Sequence, residues 1–122
     1  MQTIKTNELT GAALDWAVAK CEGHVRPDGG FYAGQQGRPL TRYSTDWSQG
    51  GPIIERGRIG VWPSDSMEGM WAARPDYKFY PERLPPAYGP TLLIAAMRCY
   101  VASKLGDTVE VPAELAVFLS SL

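Results

Sequence analysis

Apolar side chains recur at helical spacing near the N-terminus of the chain. Leu9, Ala13, Trp16 and Ala17 fall on one face, with Leu14, Val18 and Cys21 alongside. Asp15 and Glu22 are expected to point away from that face. Asn7 can cap the first turn with its side chain, and Gly23 can end the last turn in a left-handed conformation. The pattern therefore predicts a helix at about residues 8–22.

A second stretch, residues 92–102, is apolar on nearly all sides and carries one charged residue, Arg98. Pro90 suits a first-turn position and Gly106 suits a helix end, so we predict a helix from Pro90 to Leu105. A helix with so little polar surface should be buried on most sides and form the centre of the core. Its buried residues are expected to include Leu93, Met97, Tyr100 and Val101. A third helix is predicted from Pro112, with an apolar face of Leu115, Phe118, Leu119 and Leu122.

The middle of the chain, residues 23–90, holds most of the glycines, prolines and aromatic residues. Glycine and proline at this density argue against long helices, whereas the aromatic residues supply surface to bury and argue against disorder. Short strands are predicted at Arg42–Tyr43, Ile53–Glu55 and Ile59–Trp62, with another near Lys78–Tyr80. Residues 63–86 are predicted to form a long ordered loop.

The length of 122 residues suits a single domain that spans residues 1–122. A hydrophobic fraction of 44% and a charged fraction of 20% are usual for a globular protein. Helices at both ends with short strands between them predict a small α+β domain. In it, two or three helices pack with a short antiparallel sheet and a long ordered middle rich in aromatic residues, glycine and proline.

Acidic and basic residues are spread evenly along the chain, and the formal net charge is -1. This distribution gives no electrostatic signature of a nucleic-acid or membrane partner. Residues 1–10 lack a signal peptide, so a cytoplasmic protein with reduced Cys21 and Cys99 is expected. The single histidine, His24, provides no zinc-ligand spacing. We therefore expect no metal, no cofactor and no catalytic residues.

Three blocks, taken in order, carry a specific resemblance. They are ELTGAALDWAVAK at residues 8–20, YSTDWSQGGPIIER at residues 43–56 and GPTLLIAAMRCYVASKLG at residues 89–106. In this order they resemble the NinX-like family of small proteins from lambdoid phages and prophages, although residues 63–86 depart from that pattern. The resemblance implies a phage-encoded accessory protein acting in the host cytoplasm. Many proteins in such gene neighbourhoods modulate host functions or counter host defences, but a family alone does not define an activity.

The central block is the best candidate for a binding site. Aromatic rings, carboxylates and an amide surround a Gly-Gly step that lets a ligand or another backbone approach closely. Such a turn suits a planar heteroaromatic ligand such as a nucleobase, and an arginine could meet a phosphate. The candidate ligand-binding residues are Arg42, Tyr43, Asp46, Trp47, Gln49, Gly50, Gly51, Glu55 and Arg98.

The same residues also fit a purely structural turn. In that interpretation Ser44 or Asp46 caps the turn, Gly-Gly-Pro shapes it, and Trp47 packs on the first helix. Arg98 likewise has two interpretations, because a buried guanidinium needs partners and could pair with Asp46 or Glu55 instead of a phosphate. The sequence is compatible with both.

Two functions are favoured by these features. The first is a non-enzymatic phage protein that binds and sequesters a small nucleotide-like molecule and thereby counters host defence. The second is a protein–protein inhibitor or adaptor that contacts a host protein through the aromatic residues of 62–88. An enzyme has the least support, because no nucleophile and base are recognisable. Four tryptophans and six tyrosines are many for one small core, so a homo-oligomer is also expected.

Overall fold

The structure is a computed structural model that describes residues 1–25, 41–75 and 85–115. Its helices are α1 (Gly11–Cys21), α2 (Trp47–Gly57) and α3 (Leu92–Leu105), and a short 3-10 turn at Thr6–Glu8 precedes α1. Its strands are β1 (Gln2–Lys5), β2 (Gly60–Pro63), β3 (Trp71–Arg74), β4 (Ala87–Gly89) and β5 (Thr108–Val111). The predicted α+β class is confirmed, with the strands in two small antiparallel sheets.

Helix α1 begins later than the sequence predicts. Its N-cap is Thr10, which has extended backbone angles and makes no capping hydrogen bond with its side chain. Asn7, the predicted cap, lies in the 3-10 turn, where its Oδ1 accepts a hydrogen bond from the Tyr88 N–H at 3.1 Å. Gly23 ends the helix as predicted, with a φ of 82° that glycine adopts without strain.

The expectation that Asp15 points away from the core is wrong. Its side chain is 5% exposed, because the turn that contains Ser44 crosses this side of α1. The Ser44 N–H donates a hydrogen bond to Asp15 Oδ1 at 2.8 Å. Burial raises the pKa of Asp15, and its hydrogen bonds with Ser44 offset part of that rise. Glu22 also turns inward, and its Oε2 accepts a hydrogen bond from the Tyr100 hydroxyl at 2.6 Å.

The central block folds as a helix, so the strands predicted at Arg42–Tyr43 and Ile53–Glu55 are wrong. Tyr43 lies in a turn, and α2 begins directly after Asp46, whose side chain caps it. Pro52 within α2 removes one backbone hydrogen bond. The helix nevertheless persists, because it is capped and because Ile53 and Ile54 pack with the hydrophobic core.

Helix α3 lies at the centre of the core, as predicted, and packs against α1, α2 and the strands β2, β3 and β4. The residues predicted to be buried there are buried: Leu93, Met97, Tyr100 and Val101. The helix begins at Leu92 rather than Pro90, because Thr91 is the N-cap and its Oγ1 accepts the Ile94 N–H at 3.1 Å. Gly106 follows its last residue with a φ of 91°.

Each sheet is antiparallel. Strands β1 and β5 pair near the two ends of the chain, with Gln2 opposite Val111, and the sequence pattern predicts neither strand. Strands β2, β3 and β4 are neighbours in chain order. Strand β2 agrees with the prediction at Ile59–Trp62, whereas β3 lies within residues 63–86, which were expected to form a loop.

Two predicted elements fall largely outside the described residues. The strand near Lys78–Tyr80 is one of them. Of the third helix, only the start at Ala113–Leu115 is described, and it is helical. Its first turn contains a hydrogen bond from the Leu115 N–H to the Pro112 carbonyl at 3.0 Å.

Candidate functional site

A cleft opens where the N-terminal ends of α2 and α3 meet the start of β3. Its volume is about 410 Å³. The cleft is lined by Ser44, Thr45, Trp47, Trp71, Pro90, Thr91, Leu92, Leu93 and Ile94. These residues supply two indole rings, aliphatic groups and hydroxyl groups, and none of their side chains carries a charge. We call it the tryptophan cleft.

The two tryptophans reach the cleft from different elements. Trp47 is the first residue of α2, and 55% of it is exposed. Trp71 is the first residue of β3 and is half-buried against the core. An indole ring exposed to this degree leaves a large apolar area in water. Trp47 therefore does not act as a wedge packed on the first helix, which was the structural interpretation of this residue.

Asp46 caps α2 at the edge of the tryptophan cleft. Its Oδ1 accepts hydrogen bonds from the Ser48 hydroxyl at 2.6 Å and from the Ser48 N–H at 2.9 Å. Both bonds favour the charged form and lower the pKa of the Asp46 carboxyl. Asp46 is therefore ionised at neutral pH, and it lies in sequence between two lining residues, Thr45 and Trp47.

The two glycines of the central block have different surroundings. A Cβ at Gly50 would overlap the Tyr43 carbonyl oxygen and would lie 2.7 Å from Leu93 Cδ1. Gly50 thus allows α2 to lie directly against the Tyr43 turn and α3. A Cβ at Gly51 would have Trp47 Cε3 as its nearest neighbour, at 3.8 Å, which is ordinary contact. At Gly50 the helix therefore approaches both the backbone of Tyr43 and the side chain of Leu93 closely.

Tyr43 belongs to the core rather than to the cleft. It is buried, and its hydroxyl lies 3.4 Å from His24 Nδ1. Burial raises the pKa of the Tyr43 phenol, and the charge of Glu22 adds to that rise. The ring therefore fixes the turn that follows it, which carries Ser44 and Thr45 into the lining of the cleft.

Arg98 is buried and holds two backbone segments together. Its Nε donates to the Leu9 carbonyl at 2.8 Å, and its Nη1 donates to the Tyr88 carbonyl at 2.7 Å. Burial lowers the pKa of Arg98, and the charge of Glu8 opposes that change. These bonds join the segment before α1 to β4. Its partners are thus carbonyl groups, and neither the expected pairing with Asp46 or Glu55 nor a phosphate contact matches this arrangement.

Among the candidate residues within the described ranges, Trp47 lines the cleft and Asp46 borders it. Arg42, Gln49 and Glu55 are exposed and are not part of its lining, whereas Tyr43, Gly50 and Arg98 are buried in the fold. Trp71 and Thr91 also line the cleft, and the sequence pattern did not identify them as site residues. The only signal for Trp71 is the general richness of the middle segment in aromatic residues. Thr91 could have been identified as the N-cap residue of an apolar helix.

Outside the cleft, a cluster of polar side chains links the end of α1 to α2 and α3. Glu22 Oε2 accepts hydrogen bonds from Arg56 Nη2 at 2.7 Å and from the Tyr100 hydroxyl at 2.6 Å. Burial alone would raise the pKa of Glu22, but these bonds from Tyr100 and Arg56 lower it. Burial raises the pKa of Tyr100, and the hydrogen bond to Glu22 adds to the rise. These groups satisfy one another, so the cluster stabilises the packing of the helices.

Neither thiol is poised for chemistry. Burial raises the pKa of Cys21 and of Cys99 to about 12, so both are protonated at neutral pH. Among the residues that the structure describes, no group of three or more histidine, cysteine, aspartate or glutamate side chains could hold a metal ion. The helices within the described ranges include none that is long and apolar enough to cross a membrane.

The fold and the cleft define a small α+β protein with an uncharged aromatic cleft on its surface. The family described as Bacteriophage P22, NinX matches residues 5–104 of the chain. The chain belongs to this family, and the resemblance carried by the three sequence blocks is confirmed. The matched range contains α1, α2, α3 up to its penultimate residue and every described residue that lines the tryptophan cleft. No curated protein matches the chain.

Proposed function

We propose that this phage accessory protein acts by binding rather than by catalysis, and that the tryptophan cleft holds a small planar molecule of nucleotide-like chemistry. The observation that carries the proposal is the presence of two indole rings, Trp47 and Trp71, in one cleft. Indole faces stack favourably on flat heteroaromatic rings, and such a contact contributes about 1–3 kcal/mol per base in nucleic-acid sites.

The dimensions and exposure of the cleft support the same conclusion. Clefts that bind small molecules have volumes of about 300–1,000 Å³, and the 410 Å³ here falls in that range. Trp47 leaves 55% of its surface in water. A bound ring would cover this surface and recover the free energy of burying it.

The phage setting suggests what such binding would accomplish. In the host cytoplasm, a protein that sequesters a nucleotide-like signal would prevent that signal from activating a defence system. Binding of this kind needs no catalytic group, metal or cofactor. The family supports the phage origin, and the cleft supports the chemistry of the ligand.

The proposal is tested with two matched variants, Trp47→Ala and Trp62→Ala. Trp62 is an exposed tryptophan of β2 that lies outside the lining of the cleft and contacts Arg74, with 6.0 Å from ring centroid to guanidinium. Titration with linear and cyclic nucleotides, followed by tryptophan fluorescence, should show a ten- to hundredfold loss of affinity in Trp47→Ala, which corresponds to about 1–3 kcal/mol. Trp62→Ala should bind like the parent. Equal binding by all three proteins, or no binding by the parent, would contradict the proposal.

A second candidate function is an inhibitor or adaptor that acts on a host protein. The observation that favours it is the exposure of Trp62 and Met67, at 37% and 43%, on the β2–β3 hairpin. Tryptophan and methionine are enriched at protein interfaces. Affinity capture from host extract distinguishes the two functions. A host protein that is retained by Trp47→Ala and lost with Trp62→Ala would favour the adaptor.

A further inference from the structure

We propose that the tryptophan cleft recognises the ring of its ligand and leaves any phosphate in solvent, so that it binds a nucleoside as tightly as the corresponding nucleotide. This inference rests on the proposed function and specifies which part of the ligand the cleft contacts. It differs from the sequence expectation, in which Arg42 or Arg98 meets a phosphate.

The described side chains that line the cleft carry no positive charge. Proteins bind phosphate mainly with arginine, with lysine or with several converging N–H groups. Among the residues that the structure describes, the cleft lining contains neither arginine nor lysine. Arg98 already donates to the Leu9 and Tyr88 carbonyls, at 2.8 Å and 2.7 Å. A phosphate in the cleft would therefore lose hydration without gaining a cationic partner.

The fixed charges near the cleft also disfavour a polyphosphate. Each helix N-terminus carries a partial positive charge of about half an elementary charge. At α2 this is offset by the full negative charge of Asp46, which is ionised and exposed. At α3, the Thr91 Oγ1 accepts the Ile94 N–H, which satisfies one of the unpaired donors at this end of the helix. The partial positive charges of the two helix N-termini together thus amount to no more than the single negative charge of Asp46.

The polar groups that remain suit the edge of a base. Thr91 Oγ1 uses an acceptor position for the Ile94 N–H, so its hydroxyl hydrogen is free to donate to a ring nitrogen or carbonyl. The Thr45 hydroxyl, which is exposed, can donate and accept. Uncharged hydroxyls next to two indole rings match the hydrogen-bonding edge and the two faces of a nucleobase.

The test compares adenosine, AMP and ATP as probes of the whole protein, at low and at high salt, by quenching of tryptophan fluorescence. We expect the three dissociation constants to agree within about threefold and to change little with salt, because no phosphate contact has to be screened. ATP binding that is tenfold or more tighter than adenosine binding, and that weakens in high salt, would overturn the inference and leave the proposed function intact. No binding of any probe would overturn both.

Asp46→Asn provides the matched variant. Asparagine is as good an N-cap as aspartate, so the substitution removes the charge and keeps the start of α2. The affinity for ATP relative to that for adenosine should rise by about twofold to fivefold, the size of one Coulomb contact in water. An unchanged ratio would contradict the role given to this charge.

Discussion

Replacing Gly50 with alanine should destabilise the protein. In an ordinary helix interior the change from glycine to alanine adds up to about 1 kcal/mol of stability. Here the new methyl group would overlap the Tyr43 carbonyl oxygen and lie 2.7 Å from Leu93 Cδ1. Overpacking of this kind costs about 1–3 kcal/mol, and the upper part of that range applies because one partner is a backbone atom. The net loss should be about 1–2 kcal/mol, or about 3–8 °C in Tm.

The matched control is Gly51→Ala in the same helix. A Cβ there would make an ordinary contact of 3.8 Å with Trp47 Cε3, so no overlap opposes the substitution. The gain in helix propensity is offset because a Cβ before Pro52 disfavours helical backbone angles, so this variant should melt within a few degrees of the parent. Thermal unfolding of the three proteins by circular dichroism measures both effects. If Gly50→Ala melts at or above the parent, α2 does not lie against the Tyr43 turn as the structure shows.

Three further predictions concern stability and assembly. Arg98→Met should lower the free energy of unfolding by about 2 kcal/mol, because two buried carbonyls lose their donor; a parent-like melting curve would contradict this. The folded-state pKa of Glu22 is lowered, so its stabilisation is present above its ordinary pKa of 4.5 and is lost as the pH falls through the folded value. In contrast, Asp15 has a raised pKa, so stability is lost as the pH rises through it. Thermal unfolding from pH 3 to pH 7 should therefore show a smaller fall in Tm on acidification in Glu22→Gln than in the parent. Asp15→Asn should have a higher Tm than the parent at pH 7. The opposite trends would refute the directions given for these two pKa shifts. Light scattering should give the mass of a homo-oligomer, and 13.4 kDa at all concentrations would exclude one.

The helices at the two ends of the chain could be predicted because their apolar residues repeat with the helical period. The starts of both helices were predicted less well. At α1, Asn7 bonds to Tyr88, a partner far away in sequence, and Thr10 takes the N-cap position. At α3, Thr91 is the N-cap, so the helix starts after Pro90 and not at Pro90 as predicted. The start of α1 depends on a partner that the rest of the fold brings near Asn7, and the local sequence does not contain that information, whereas the Thr91 cap is a local one.

Helix α2 was missed for a related reason. Gly50, Gly51 and Pro52 have poor intrinsic helix propensity, and two isoleucines follow them. Tertiary packing overrides these preferences, since Gly50 permits a close approach that a larger residue would block. A helix of this composition is stable only when it packs on α3. A prediction from intrinsic propensity alone therefore favours strands in this segment.

The candidate site could be located only in part. The aromatic character of Trp47 and its polar neighbours indicated a binding surface in the central block. The sequence could not show that Trp71 and residues 90–94 complete the cleft, because they come from other elements of the fold. Nor could the sequence show that Arg98 donates hydrogen bonds to two backbone carbonyls, since both of those carbonyls lie in segments outside α3.

Ligand binding in the tryptophan cleft is tested most directly by an NMR titration that follows the four tryptophan indole N–H signals, assigned by single substitutions to phenylalanine. Adenosine should shift the signals of Trp47 and Trp71, which line the cleft. The signal of Trp16, which is buried in the core, and that of Trp62, which lies on the β2–β3 hairpin, should stay in place. No shift at Trp47 and Trp71, or shifts confined to Trp62, would contradict the account.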